Sequence, residues 1–232
     1  MEFKEGLRSL GLCEDIDFLS FEKYKDYLLE KNKEFNITRI TEESEIYSKH
    51  FLDSLSLMTL GIFDGKKSLI DIGTGGGFPG LPLKIYKKDL DVVLMDSLKK
   101  RINFLEEVCN LLKLENIKCI HHRAEEMARE DIYREKFDIA TSRAVASLPT
   151  LLEYAMGFVK VGGYFVAMKG PNFHEELQDS KRAIEELGGV LQDVKEIEIE
   201  DFYRSLILVK KVKPTPKKYP RAGGKPKKAP IK

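Results

Sequence analysis

No tryptophan occurs in this chain, glutamine occurs twice, and cysteine three times in 232 residues. The cysteines, Cys13, Cys109 and Cys119, are scattered and never spaced Cys-x-x-Cys. That excludes a thiolate metal knuckle and a disulfide-stapled secreted fold, and it implies reduced thiols in a cytoplasmic protein. No uncharged apolar run approaches the roughly 18 residues of a membrane span. The start, Met1-Glu2-Phe3-Lys4-Glu5, is charged where a secretory leader needs an apolar stretch. A cytoplasmic location away from the membrane is therefore expected. Scarce glutamine beside abundant Lys and Glu is a bias shared with heat-adapted proteins.

What is present is enough for one large domain with a small extension. Apolar residues make up 42% of the chain, so a substantial core can be buried. The formal net charge of +1 hides an asymmetry. Residues 210–232 carry ten Lys or Arg and no acid, whereas residues 1–209 carry 29 basic against 38 acidic residues. A basic end on an acidic body suggests a polyanionic partner touched locally. From Lys213-Pro214-Thr215-Pro216 onward the composition is that of a flexible tail unable to pack a core.

Residues 1–60 read as a helical extension. Phe18, Phe21, Tyr24 and Leu28 recur at helical spacing within 17–33. After the loop Asn36-Ile37-Thr38, Thr41 is placed to cap a second helix running through His50, Asp53 and Leu55 to Gly61. Residues 61–212 then alternate. Strands are expected at 68–72, 91–96, 117–121, 137–142, 163–168, 192–199 and 204–212. Helices are expected at 79–87, 98–113, 124–130, 148–159 and 174–187. Repeated β-then-α units imply a mostly parallel, Rossmann-like α/β sheet of seven strands with helices on both faces. Only Glu200-Asp201-Phe202-Tyr203 separates the last two strands, so these should form an antiparallel hairpin.

The first strand runs into Asp71-Ile72-Gly73-Thr74-Gly75-Gly76-Gly77-Phe78-Pro79-Gly80, and the second ends on Asp96. A strand, a glycine loop, a helix and a second strand ending on a carboxylate form an adenosine cradle. Two templates fit. Residues 75–80 match G-x-G-x-x-G, the dinucleotide fingerprint, and residues 71–77 match D-x-G-x-G-x-G, the form of class I S-adenosylmethionine methyltransferases. Asp71 favours the second, because a carboxylate there balances a sulfonium or an amino group and repels a pyrophosphate. The loop also lacks the Lys or Arg that a phosphate site would tolerate. Asp96 suits ribose hydroxyls in either case. Pro79 suits the first turn of a helix, where its missing N–H is harmless. Phe78 packs over the cofactor or anchors the next helix.

Several segments together resemble one family. They are residues 71–80, Met95-Asp96-Ser97-Leu98-Lys99-Lys100-Arg101, Ala124-Glu125, and Ser142-Arg143-Ala144-Val145-Ala146-Ser147. To these add Asn36-Ile37-Thr38, His50-x-x-Asp53-Ser54-Leu55, Met168-Lys169-Gly170, and Lys218-Tyr219-Pro220-Arg221 with Pro226-Lys227-Lys228. The resemblance is to the 16S rRNA guanine-N7 methyltransferases, also called methyltransferase G or glucose-inhibited division protein B. The family has a basic pair where this chain has Arg221 alone. The resemblance implies a class I fold that binds S-adenosyl-L-methionine and methylates N7 of a guanosine in the decoding-region loop of 16S rRNA. It implies as partner that rRNA or the small ribosomal subunit. A monomer is expected.

It also implies a cofactor set of Asp71, Gly73, Gly75, Gly77, Phe78, Asp96, Ser97, Ala124, Glu125 and Arg143, with Ala124 and Glu125 near the adenine. Arg143, at the lip of the fourth strand, is the residue expected to position the reaction. RNA contacts are expected at Lys100, Arg101, Lys169, Arg204, Lys218 and Arg221. Guanine N7 has an in-plane lone pair and no proton, so no general base is required. Amino-methylating enzymes carry Asn/Asp-Pro-Pro-aromatic after the fourth strand, and here Thr141-Ser142-Arg143-Ala144 stands instead. No cysteine follows a strand-end proline, as carbon-5 pyrimidine chemistry would need. His121 and His122 beside Cys119 face opposite sides of a strand, so no metal is expected. A small-molecule methyltransferase and a cofactor-binding assembly protein without turnover are the competing readings.

Overall fold

The computed structural model describes residues 3–231; Met1, Glu2 and Lys232, which belong to the charged start and the basic end read above, lie outside them. The chain begins with α1 (Phe3–Ser9), too short to show a periodic stripe in the sequence, and α2 (Phe18–Asn32). Asp17 caps α2 by accepting from the Ser20 amide at 3.2 Å. Phe21, Tyr24 and Leu28 form its buried stripe. The next helix differs from expectation. Thr41 does not cap it; Glu42 takes the N-cap position without a side-chain bond. It runs as α3 (Glu43–Glu45), a π-helical stretch (Ile46–Leu52), α4 (Asp53–Leu55) and a 3₁₀ turn (Ser56–Leu60), ending at Gly61 with φ +65°. Widened π turns of this kind concentrate at functional sites.

Seven strands follow: β1 (Ser68–Ile72), β2 (Asp91–Asp96), β3 (Ile117–His121), β4 (Phe137–Arg143), β5 (Val159–Lys169), β6 (Gly189–Ile199) and β7 (Phe202–Lys211). Their order is β3-β2-β1-β4-β5-β7-β6. All pairings are parallel except those of β7, which is antiparallel to both β5 and β6. The strand order reverses its progression between β1 and β4, where such folds bind ligands at the carboxyl edge. The connecting helices are α5 (Gly80–Tyr86), α6 (Lys99–Leu111), α7 (Ala124–Met127), α8 (Leu148–Ala155), α9 (His174–Asp179) and α10 (Lys181–Glu186). Pro79 stands just outside α5, not in its first turn. The single helix expected at 174–187 breaks at Ser180, whose hydroxyl donates to the Glu176 carbonyl at 2.6 Å and competes with the helical pattern.

The sheet is covered on both faces. On one face the early helices, α5 and α6 share a core with Leu69, Leu94 and Ile139. On the other, α8 and α10 pack against Ile70, Ile72 and Phe165. Tyr219 and Ile231 join this second core. That corrects the expectation of a tail that cannot pack. Three charged anchors hold it. Lys211, fully buried, donates to the carbonyls of Met156 and Val159 and to Thr215 Oγ1, and pairs with Glu135 at 2.9 Å. Arg134 donates to the carbonyls of Thr215 at 2.8 Å and Tyr219 at 3.0 Å. Arg221 clamps the buried Glu153 through Nε at 2.9 Å and Nη2 at 2.6 Å. Buried charges stand only when paired, so composition alone hid what these residues do. A last turn, α11 (Lys225–Lys228), leaves its lysines exposed while Thr150 donates to the Pro226 carbonyl.

Candidate active site

At the carboxyl edge between β1 and β4 lies a cavity of about 350 Å³. The glycine loop, Asp96 and Ser97 line one part of it; Ile37, Thr38, His50, Phe78 and Arg143–Val145 line the rest. Two glycines of the loop are obligatory. Gly73 has φ +68°, and a Cβ there would stand 2.6 Å from Val145 Cγ2. Gly77 has φ +105°, and a Cβ would stand 2.6 Å from the Tyr24 hydroxyl. That hydroxyl donates to the Gly76 carbonyl, so α2 fastens the loop from outside the sheet. At Gly75 a Cβ would meet nothing nearer than the Gly73 carbonyl at 4.0 Å, which leaves the loop surface open to a ligand.

Asp71 is not in the cavity wall. It lies fully buried beneath the loop, where Oδ2 accepts from Thr74 Oγ1 at 2.6 Å and from the Gly80 amide at 2.8 Å. Oδ1 has no partner among the described residues. Burial raises its pKa to about 6 against the pull of Thr74, Gly80 and Arg143. Asp96 does face the cavity. Oδ1 accepts from the Leu98 amide at 2.9 Å, and Oδ2 accepts from the Gly75 amide at 3.0 Å and from Arg101 at 3.2 Å. It therefore ties the loop to the end of β2, the place where a carboxylate meets ribose hydroxyls in this fold. Ser97 is exposed beside it, whereas Ala124 and Glu125 open α7 outside the cavity lining.

Arg143 anchors the other wall. Its Nη1 donates to Asp53 Oδ2 at 2.7 Å and to the Lys49 carbonyl at 3.0 Å, and its Nη2 to His50 Nδ1 at 3.0 Å. The guanidinium carbon stands 4.9 Å from the Phe78 ring centre, and the His50 ring stacks on Phe78 at 4.2 Å. Asp53 is fully buried and accepts a second arginine, Arg204, through Nε at 2.5 Å and Nη2 at 2.9 Å. One carboxylate thus holds two guanidiniums, from β4 and β7, against the π-helical stretch. Burial, and then the neighbouring Arg143 charge, push the His50 pKa down to about 3. The ring is neutral at physiological pH.

The expected RNA-binding residues separate into two groups. Lys100 and Lys218 are exposed, over Phe35 and Tyr219 respectively. The rest have partners inside the protein: Arg101 on Asp96, Arg204 on Asp53, Arg221 on Glu153, and Lys169 on Glu176 and the Ala146 carbonyl. Lys169 thereby steadies the loop after Arg143. Sequence reasoning ran one helix through His50 and Asp53 but missed that Asp53 would hold both arginines. It also missed Asn32, whose Oδ1 accepts from the Ile37 and Thr38 amides and shapes the Thr38 loop.

A glycine loop between β1 and α5, an acid ending β2, and an antiparallel β7 define a class I S-adenosylmethionine-dependent methyltransferase. Solved structures share the fold: an S-adenosylmethionine-dependent O-methyltransferase of Thermotoga maritima aligns at TM-score 0.54 and 14% identity, over 82% of this chain and 72% of the other. M. jannaschii TYW2, solved with its AdoMet, aligns at 0.53 and 16%, over 69% and 77%. The family model described as GidB, rRNA small subunit methyltransferase G, matches residues 18–207, and the chain belongs to that family. Relatives bearing the name ribosomal RNA small subunit methyltransferase G support this. That of Alkaliphilus metalliredigens is 48% identical over 100% of this chain and 98% of its own length. That of Clostridium perfringens is 50% identical over 99% and 97%.

Proposed function

We propose that the protein transfers a methyl group from S-adenosylmethionine to N7 of a guanosine in the decoding-region loop of 16S rRNA. The observation that carries this reading is the lack, among the described residues, of a disposable base in the cavity wall. His50 has Nδ1 committed to Arg143 and stays neutral, and Asp96 accepts from the Leu98 and Gly75 amides and Arg101, which leaves its remaining capacity to the cofactor's ribose hydroxyls. A nucleophile that must lose a proton would find no acceptor there. Guanine N7 has no proton to lose. The cofactor, when bound, supplies an electrophilic methyl on a sulfonium.

The chain's own residues then do three things. The Gly73–Gly77 loop and Asp96 hold the cofactor, with Ser97, Ala124 and Glu125 on the adenine side. Asp53 and His50 fix Arg143, so that this wall of the cavity does not move. Ile37, Phe78 and Val145 keep the reacting end poor in water. Exposed basic residues, including Lys100 and Lys218, meet rRNA phosphate. We place the protein in the cytoplasm as a monomer acting on the small subunit or its rRNA. Among the described residues no helix is long and apolar enough to cross a membrane.

Labelled cofactor, offered with small subunits, naked 16S rRNA or a metabolite extract, tests the reading. Label should enter rRNA as 7-methylguanosine, with kcat flat between about pH 7 and 9 because no base titrates. A rate rising through that range, or label in metabolites only, contradicts it.

A further inference from the structure

Thr38 has a hydrogen-bonding state that the surrounding network fixes completely. Arg143 Nη2 can only donate, so His50 Nδ1, 3.0 Å away, must accept. The proton of the neutral ring therefore sits on Nε2, which donates to Thr38 Oγ1 at 2.8 Å. The Ile40 amide donates to the same oxygen at 3.1 Å. Both lone pairs of Oγ1 are filled. Its own proton has no acceptor among the described residues, and Thr38 lines the cavity. Thr38 is thus a hydroxyl that presents a donor to the ligand and has no capacity left to accept.

We infer that the Thr38 hydroxyl distinguishes guanine from adenine at the methylated position, by donating to the O6 that neighbours N7 on the same base edge. The inference rests on the reading of the activity as N7 methylation. N7 must stay bare to react, so a donor that recognises this edge has only O6 to bind. Adenine offers an amino group there, and two donors would face each other. The flanking walls suit a planar neutral base: Ile37 is apolar, and the His50–Phe78 pair is stacked at 13° between planes. The chain of donors starts at Arg143, whose guanidinium Asp53 accepts and holds, so the groups that hold the reaction site also set the donor that selects its base.

The test uses small subunits reconstituted on rRNA carrying guanosine or 2-aminopurine ribonucleoside at the methylated position; the second keeps N7 and lacks O6. Wild type should prefer guanosine by about tenfold or more in kcat/KM, the scale of one hydrogen bond left unmade in a dry site. Thr38→Ser should keep the preference. Thr38→Val should reduce it to near unity; in Thr38→Ala, used should the valine not fold, a water that serves His50 and Ile40 is not held by a side chain, so the preference should still fall severalfold. S-adenosylhomocysteine affinity, read by calorimetry, should stay within about threefold in each variant, less than one hydrogen bond is worth. An undiminished preference in both Thr38→Val and Thr38→Ala overturns the assignment. So does an unchanged preference accompanied by a collapse of cofactor-product affinity, which would give Thr38 to the methionine carboxylate instead. Methyl found by wild type at an atom other than N7 overturns the activity reading and the Thr38 role together.

Discussion

Asp53 concentrates the electrostatics of the site in one side chain. Two guanidiniums share its buried carboxylate, and neither is much exposed: 11% for the Arg143 side chain and 18% for Arg204. Asp53→Asn would leave two cations facing each other without a counter-charge. We expect a loss of about 2–4 kcal/mol in stability by urea titration, the scale of a broken buried pair. Adding Arg204→Met should recover part of that loss together with part of kcat, because Arg143 is then no longer repelled. A double variant as poor as the sum of both changes would show that Asp53 does not act through charge. His50 makes a second prediction. Its folded pKa lies below the unfolded value, so as pH falls from about 6.5 towards 3 the unfolded chain takes up a proton that the folded one refuses. Stability should decline across that window, and His50→Gln should flatten the decline in thermal melts taken at successive pH values.

At the scale of elements, the docked C-terminal segment is where sequence reasoning and structure part most clearly. The glycine loop, Asp96 at the end of β2 and the closing β6–β7 hairpin were legible, because turn chemistry and apolar runs are local signals. The docking of residues 213–231 was not. Its apolar anchors, Tyr219, Pro226 and Ile231, are few among many lysines, and the acid that receives Arg221 is Glu153, 68 positions away. The same distance problem hid the partners of Arg143, since Asp53 lies 90 positions upstream. Periodicity carries no information about pairings so remote. The π-helical stretch was invisible too, since its residues have ordinary helical spacing. Arg221→Ala strands the Glu153 carboxylate inside the protein. With the Arg221 side chain 29% exposed, we expect about 1–3 kcal/mol of destabilisation by denaturant unfolding, with little change in cofactor affinity. Stability unchanged to within about 0.5 kcal/mol, the range of a plain surface substitution, would mean that the clamp holds nothing.

For the whole molecule, the uneven charge takes on a definite shape. The basic end is a strap laid on α8, the helix that follows β4 and its Arg143, and its exposed lysines include Lys217, Lys218, Lys225, Lys227 and Lys228. Phosphate contacts from a fixed strap are preorganised, whereas a loose arm would lose entropy on binding. Replacing the five lysines with glutamine should leave thermal unfolding nearly unchanged. It should reduce the steepness of log K against log salt for rRNA by about 0.7–0.9 for each phosphate no longer neutralised. An unaltered slope would assign RNA binding to another face.

The central claim is that this cavity delivers a methyl group to an atom that needs no base. Mass mapping of modified nucleosides in rRNA from cells with and without the protein addresses it most directly. One 7-methylguanosine should vanish from the decoding-region loop of 16S rRNA when the protein is absent and return with the wild-type chain, but not with Arg143→Ala. An rRNA modification pattern identical in the two strains, or a missing methyl on any atom other than guanine N7, would contradict the account.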